Sequence, residues 1–139
     1  MFPIERNARH SEQKEMPIRI SEIFEIEVLQ ELFDSFSQAT GTVAAILDLD
    51  GNVLIASGWQ DICTRFHRAT PGTACRCHES DTALASQLED GQKYNVYQCK
   101  NGLVDVAVPI IVADSHIGNL FTGQFFFSPP DETFFRKQA

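Results

Sequence analysis

The chain has 139 residues, 43% of them hydrophobic and 22% charged, which suits one globular domain with a core of its own. The formal net charge of −8 argues against a nucleic-acid surface, because such a surface needs clustered lysine and arginine. No stretch approaches the roughly 18 apolar residues of a membrane span, and no basic segment precedes an apolar run as in a signal peptide. We therefore expect a cytoplasmic protein whose four cysteines are free thiols or metal ligands rather than disulfides.

The first part of the chain contains a polar segment followed by an amphipathic one. Residues 1–20 show no clear period and are interpreted as a flexible lead-in, so the domain is expected to occupy residues 21–139. Apolar residues then recur at spacings of three and four, which predicts a helix at 21–40 that begins at Ser21 and ends at Gly41. This helix has one apolar face that could pack on the domain or on a copy of itself. We expect a homodimer formed through it.

The next segment, TVAAILDLDGNVLIASG, predicts a β-hairpin. Two β-rich runs flank Asp50-Gly51, which is a strong short-range signal for a tight hairpin turn. The predicted strands lie near 43–49 and 53–58.

The middle of the chain, residues 60–91, predicts short helices instead of strands. One helical candidate is DICTRFHR and the other is SDTALASQLEDG. The Pro-Gly pair at residues 71 and 72 indicates a break between them. Cys75 and Cys77 are therefore expected in a loop.

Strands return at 94–99, 103–112 and 116–127, separated by tight turns, so the sheet should be antiparallel. Pro109 lies inside the second of these runs and predicts an edge or a bulge. The order predicts an α+β domain: a PAS-like antiparallel five-stranded sheet with helices on one face and an N-terminal amphipathic helix. In a fold with this order of elements, a pocket lies between the sheet and the middle helices.

The C-terminal segment SPPDETFFRKQA has two prolines followed by Phe134-Phe135. Two exposed phenylalanines at a natural chain end would be unusual. Either these rings pack back on the domain, or a further segment of a longer protein covers them. We expect the second.

Three of the four cysteines fall within residues 62–81, and the set could hold a metal. Zinc takes about four nitrogen or sulfur ligands, and thiolates suit both zinc and iron. Cys63 and His67 are four residues apart and would share one face of a helix. Cys99 ends the third strand, which the PAS-like order could bring near Cys75 and Cys77. The alternative is that these cysteines are small buried apolar side chains.

Two other kinds of thiol chemistry remain open from the residues alone. A thiol enzyme could use Cys63 with His67, or Cys77 with His78, as nucleophile and base. The neighbouring arginines could instead lower a thiol pKa and make a redox sensor. No peptidase signature or oxyanion site accompanies these pairs.

Several polar or aromatic residues occur where a pocket is expected. Gln124 lies among apolar neighbours, so its amide must bond a backbone group or orient the polar head of a ligand. Thr122, Gln124 and Phe126 share one face of a strand by alternation. Trp59 could close the pocket. Asp105 could contact a ligand or pair with a nearby arginine.

The stretches DICTRFHR, CHESD, YNVYQCKNGLVDVAVPI and HIGNLFTGQFFF, in this order, resemble the PocR-type sensory domain over residues 20–135. The resemblance implies a PAS-like fold that binds a small organic molecule, with hydrocarbon derivatives such as propanediol usually suggested. It also implies a histidine kinase, a diguanylate cyclase or DNA-binding helices elsewhere in the full-length chain. We therefore expect the sensor part of a bacterial or archaeal regulator, and not an enzyme.

The residues that match the family pattern narrow the candidate sites. They include Cys63, Cys77 and Cys99, so the resemblance implies that these form the core of any zinc or iron site, with His67 or Cys75 as the fourth ligand. Other matches are Phe66, His67, Ser80, Asp81, Tyr97, Asn101, Gly102, Asp105, Pro109, Gly123 and Gln124. The residues expected to contact the ligand are Trp59, Phe66, Tyr97, Asp105, Thr122, Gln124 and Phe126.

Overall fold

The fold comes from a computed structural model that describes residues 16–87 and 92–138. Most of the predicted lead-in therefore lies outside the described residues, as does the end of the predicted helix SDTALASQLEDG. The elements, in chain order, are α1 (Ile20–Ile23), α2 (Ile26–Thr40), β1 (Ala44–Asp48), β2 (Val53–Ser57), π1 (Ile62–His67), α3 (Pro71–Glu79), π2 (Ser80–Leu84), β3 (Asn95–Gln98), β4 (Val104–Val112), β5 (Ser115–Phe125) and α4 (Glu132–Arg136). Within the described residues, no helix combines the length and the apolar character needed to cross a membrane.

The sheet confirms the predicted α+β class and the PAS-like order. Its five strands are antiparallel and run β2-β1-β5-β4-β3. The predicted hairpin is present, and Gly51 in its turn has φ +84°, a conformation that glycine adopts without strain. The long β4–β5 hairpin turns through Ala113 and Asp114, both with positive φ, as a two-residue turn requires.

The two faces of the sheet bury two separate clusters, because neighbouring side chains of a strand point to opposite sides. Ala45 and Leu47 pack on the side of the middle helices, together with Phe121. Ile46 packs on the other side, against α1 and α2. The middle helices and the N-terminal helices therefore enclose the sheet from opposite faces.

The predicted N-terminal helix forms in two pieces. A four-residue turn, α1, begins after Arg19 rather than at Ser21. The chain is extended at Phe24, and α2 then runs to Gly41, which has φ +70° and ends the helix as predicted. Gln30 fixes α2 to the sheet, because its side-chain amide exchanges two hydrogen bonds with the backbone of Ala56 in β2.

The expected loop around Cys75 and Cys77 is a helix, so that prediction was wrong. Pro71 is the first residue of α3, where a proline costs nothing because its missing N–H would have no partner inside the helix. Residues two apart on a helix point about 200° away from each other. Cys75 is accordingly exposed, while Cys77 is buried.

Strand β4 accommodates Pro109 at a local edge. On one side Pro109 pairs with Asn119 of β5, whereas β3 ends at the Asn95–Ala107 pair and does not reach it. The register also shifts between Ile110 and Ile111. The sequence prediction of an edge or bulge at this proline is confirmed.

Candidate functional site

A cavity of about 40 Å³ lies between the sheet and the middle helices. Alternate residues of β1, Ala45 and Leu47, form part of its apolar floor, together with Phe121 of β5. The helical wall contributes Cys63 and Cys77, among others. A single water needs about 10–15 Å³ of such space, so the cavity has room for about three groups of that size.

The two π-helical stretches shape the helical wall. In π1 the amide of Arg68 donates to the carbonyl of Cys63, and in π2 the amide of Ala85 donates to Ser80, each at 3.0 Å. Residues five apart in an α-helix lie about 140° apart around the axis. A π-turn instead closes its ring at the fifth residue and brings the two nearly above one another. This is why Cys63 and Arg68 can both line the cavity.

Arg68 is the centre of the polar side of the cavity. Its guanidinium forms an ion pair with Asp81 of π2, with 2.7 Å between Nη2 and Oδ2. It also stacks over the ring of Trp59, with Cζ 4.6 Å from the ring centroid, a cation–π geometry. The alternative that an arginine pairs with Asp105 is wrong, because Arg68 binds Asp81 and Arg65 binds Asp61 at the surface.

Three buried polar atoms next to the cavity have no hydrogen-bond partner among the described residues: Trp59 Nε1, Arg68 Nε and Tyr97 Oη. Trp59 and Arg68 both line the cavity, and Trp59 and Tyr97 pack against its apolar floor. An unpaired buried polar group costs about 1–3 kcal/mol, and native proteins have few of them. Two of these three residues, Trp59 and Arg68, thus bring unpartnered polar atoms to the cavity lining.

A β-bulge in β5 shapes the opposite wall. Val104 pairs with Phe125 but Asp105 pairs with Gly123, so Gln124 is the extra residue, and it adopts a left-handed φ of +58°. The bulge orients the backbone N–H of Gln124 toward Asp105, where it donates a hydrogen bond to Oδ1 at 3.1 Å. Its side-chain oxygen accepts from the backbone amide of Gln60 at 2.6 Å, so Gln124 both bonds backbone and lines the cavity. Bulges often re-aim side chains next to functional sites.

Asp105 is a carboxylate in an apolar strand. Within the described residues its only hydrogen bond is the one from the Gln124 amide, and no ion pair compensates it. Burial raises the pKa of Asp105 to about 6, and the nearby Asp81 adds to the rise. This side chain therefore titrates close to physiological pH.

Three of the four cysteines, Cys63, Cys77 and Cys99, line the cavity, whereas Cys75 faces solvent on the other side of α3. Burial and the nearby carboxylate of Asp105 raise the pKa of Cys63 to about 12. Burial likewise raises the pKa of Cys77 and of Cys99. In the absence of a metal ion these thiols are protonated at neutral pH, and a protonated thiol is a poor nucleophile.

Within residues 16–87 and 92–138, no set of three or more His, Cys, Asp or Glu side chains is arranged to hold a metal ion. His67 lines the cavity beside the cysteines, but its Nε2 bonds Gln138 at 2.8 Å. Burial lowers the pKa of His67, which favours the neutral ring. The thiols and the histidine are therefore neighbours without a metal-binding geometry.

Thiol accessibility should separate Cys75 from the buried Cys63 and Cys77. We expect an aromatic disulfide reagent to titrate Cys75 rapidly in the native protein, because it is exposed. Cys63 and Cys77 should react at least about a hundredfold more slowly, through opening of the fold, because they are buried. A Cys75→Ser variant should lose the rapid phase. Rapid reaction of two or more thiols in that variant would contradict the placement.

The structure brings together only some of the residues expected at a ligand site. Trp59, Asp105, Thr122 and Gln124 line the cavity, and the Thr122 hydroxyl is engaged by the carbonyl of Val43 at 2.7 Å. The other three expected residues lie outside the cavity lining: Phe66, Tyr97 and Phe126. Phe126 instead lines an open groove along β3, together with Tyr97.

Sequence reasoning missed two contributions to the site. It did not identify the floor residues of β1, although the alternation in VAAILD could have suggested them. It also assigned Asn101 to a simple turn. Asn101 is fully buried, and its amide donates to the carbonyl of Thr73 at 2.8 Å and to the sulfur of Cys77 at 3.1 Å.

Comparison with known proteins identifies the family. The family model for the sensory domain found in PocR matches residues 22–139. The Regulatory protein PocR of Salmonella typhimurium (strain LT2) is 24% identical over 99 residues, which are 70% of this chain and 32% of that protein. The chain thus spans about a third of the length of this relative. No solved structure matches the chain significantly. By the match over most of its length, the chain belongs to the family of PocR sensory domains.

Proposed function

We propose that this domain senses a small organic molecule, which binds in the cavity between the sheet and the middle helices. The observation that carries the proposal is the group of buried, unpartnered polar atoms at the cavity. A ligand with hydrogen-bonding atoms would satisfy them and would offset the cost of their burial. Membership of a family of sensory domains supports the same role.

The charges around the cavity favour a neutral or cationic ligand over an anion. Arg68 is already paired with Asp81, so its charge is compensated. Asp105 adds a carboxylate without an ion-pair partner among the described residues, and this group would repel an anion at neutral pH. The small volume favours a molecule of only a few non-hydrogen atoms.

The state of the thiols supports binding rather than thiol chemistry. A nucleophilic or redox-active cysteine needs a substantial thiolate population, but burial raises the pKa of Cys63, Cys77 and Cys99. This favours a sensor over a thiol-dependent enzyme or a thiol redox sensor. A zinc or iron ion would have to reorganise these side chains and remove their protons.

The domain would act on an output module in a longer chain. The relative whose name marks it as a regulatory protein is about three times the length of the matched segment. A kinase, a cyclase or a DNA-binding module joined to this domain could respond to the occupancy of the cavity. Four free cysteines fit the reducing cytoplasm, where we place the protein.

A thermal-shift panel tests the proposed function. The panel comprises propane-1,2-diol as a neutral probe, 1-aminopropane as a cation and propionate as an anion. We expect the neutral or the cationic probe to raise the unfolding temperature with increasing concentration, and propionate to have no effect. Absence of a shift with both of the first two probes, or a shift with propionate alone, would contradict the proposal.

A matched pair of aromatic variants locates the binding. Trp59→Phe removes the buried Nε1–H and keeps a ring beneath Arg68. It should weaken binding of the active probe by about tenfold. Tyr94→Phe removes a polar group from an exposed ring and should leave affinity unchanged. Equal affinity in both variants would place the binding elsewhere.

We further propose that the domain forms a homodimer through α2. Val28, Leu32 and Phe36 form an exposed apolar stripe at a spacing of four, in addition to the stripe that packs on the sheet. Beside this exposed stripe lies an entirely apolar groove of about 470 Å³ on the sheet. A second copy presents the same stripe and groove, so a two-fold contact would bury both at once.

Introducing a charge into the stripe tests the dimer. Leu32→Glu should convert the dimer into a monomer in sedimentation equilibrium, because a charge would be buried against its symmetry mate. Glu31→Gln, at the margin of the stripe, should preserve the dimer and reduce its salt dependence, since α2 contains acidic but no basic residues. A monomeric native protein at every concentration would refute this part of the proposal.

A further inference from the structure

The C-terminal helix α4 and the residues after it are fastened to the domain by the side chain of Gln138. Its amide nitrogen donates to the carbonyl of Asn101 at 3.2 Å, and its amide oxygen lies 2.8 Å from His67 Nε2. Because the amide oxygen can only accept, Nε2 of His67 carries the hydrogen. One side chain therefore joins the C-terminal segment to two separate elements.

Aromatic rings complete this attachment. Phe135 stacks on His67, with centroids 6.3 Å apart, and meets the edge of Phe126 at 5.6 Å. Phe134 lies on the backbone of Gly102, where a Cβ would come within 2.7 Å of its ring. The segment 129–138 is thus seated on the domain, which supports the packing-back alternative for these two phenylalanines.

Both partners of Gln138 also touch the cavity or its lining. His67 is a lining residue itself, at the end of π1. Asn101 binds the sulfur of Cys77, which lines the cavity from α3. His67 and Asn101 therefore each have one side toward the cavity and another toward the C-terminal segment.

We propose that His67 and Asn101 couple occupancy of the cavity to release of the segment 129–138. The inference rests on the proposed function, since it assigns the route by which a bound molecule would be reported. The cavity has room for about three water-sized groups, and its floor is a hydrogen-bonded sheet, so a larger molecule such as propane-1,2-diol must displace the helical wall. Displacement of His67 lengthens its bond to Gln138 and unseats the segment. By linkage, an unseated segment also changes the affinity of the cavity.

Hydrogen exchange, resolved by mass spectrometry, tests the coupling without a ligand. In the reference variant Gln138→Ala, exchange should become about tenfold faster at the amides of Phe135 and Lys137, which bond within the C-terminal turn. Exchange in β4 and β5 should stay unchanged. Lys137→Ala, an exposed neighbour, is the control and should show native exchange.

A larger side chain on the cavity lining can take the place of a ligand in this test. Cys63→Met adds atoms at the lining and should accelerate exchange of the C-terminal amides in the same direction as Gln138→Ala. Combined with Gln138→Ala it should add little, because both changes act on one contact. Cys75→Met, exposed on α3, is the matched control and should have no effect. Unchanged or slower C-terminal exchange in Cys63→Met would overturn the proposal.

A replacement variant and a ligand-addition experiment distinguish an unfolded variant from a failed proposal. If Cys63→Met loses protection in β4 and β5, the milder Ala45→Val on the cavity floor replaces it, with the same expectation. Whichever of propane-1,2-diol and 1-aminopropane binds should also accelerate C-terminal exchange when added to the native protein at saturation. A filled cavity that releases the segment, when neither of these probes binds, would count against the proposed function while upholding the coupling.

Discussion

Replacing Gly123 with alanine should lower the free energy of unfolding by about 3 kcal/mol or more. Gly123 has φ +148°, which residues with a Cβ rarely adopt. A Cβ would also collide with Asp105 Oδ1 and would lie 2.7 Å from the carbonyl oxygen of Val104. The backbone cannot yield there without breaking the bulge. Chemical denaturation with an unchanged m-value would measure the loss.

Two other glycines separate the causes of this effect. Gly41 has φ +70°, and a Cβ added there would meet nothing within 4 Å, so Gly41→Ala should cost only about 1 kcal/mol for the backbone conformation. Gly72 lies in α3 with equally free space, and Gly72→Ala should be neutral or stabilising by up to about 1 kcal/mol. A cost for Gly123→Ala no larger than that for Gly41→Ala would show that the close contacts do not matter.

Replacing Asp105 with asparagine should stabilise the ligand-free protein at pH 8 by about 1–2 kcal/mol. Burial raises the pKa of Asp105 to about 6 from its ordinary 3.8. Between pH 3.8 and about pH 6, therefore, Asp105 is protonated in the folded state and ionised in the unfolded state. Stability therefore falls as pH rises from 3.8 to about 6, by up to about 3 kcal/mol, and then stays level. Asparagine carries no charge and removes this loss of stability. The net gain is smaller than the loss, because burying the asparagine amide has a cost of its own.

The pH profile distinguishes this effect from ordinary repacking. Denaturation from about pH 4 to pH 8 should show the gain of Asp105→Asn appearing with rising pH and reaching its full size above about pH 6. Asp114→Asn is the control, because this exposed carboxylate lies in a turn with φ +63°, which asparagine accepts. A gain that is equal at both ends of this range would refute the assignment. The same variant should bind the active probe more weakly, as expected of a group kept for binding at a cost in stability.

The fold could be read from the sequence where local pattern and tertiary packing agree. The spacing of apolar residues predicted α2, and Asp50-Gly51 predicted the first hairpin, because each depends on neighbouring residues only. Pro109 indicated a local edge for the same reason. These elements then fix the antiparallel order, since tight turns allow few alternatives.

The other features of the fold and the site depend on contacts between residues that are distant in the sequence, and local sequence patterns do not reveal such contacts. Pro71-Gly72 indicates a turn as well as a helix start, and only packing of Cys77 and Thr73 selects the helix. The bulge at Gln124 breaks the alternation that had grouped it with Phe126, so only part of the proposed ligand set reaches the cavity. Asn101 resembled an ordinary turn residue because its buried partners are more than twenty residues away.

The π-helical stretches affect how the chain tolerates a change of length. In π1 the residue nearly above Cys63 is Arg68, the fifth residue onward instead of the fourth. If this turn relaxed into an α-helix with its residue number unchanged, Arg68 would lie about 140° from Cys63 and would leave both Trp59 and Asp81. Deleting one residue between Cys63 and Arg68 would instead make Arg68 the fourth residue onward, about 40° from Cys63 in an α-helix and on the same face. Related chains should therefore be able to lose one residue from this turn and still present the arginine, whereas a gained residue would turn it away.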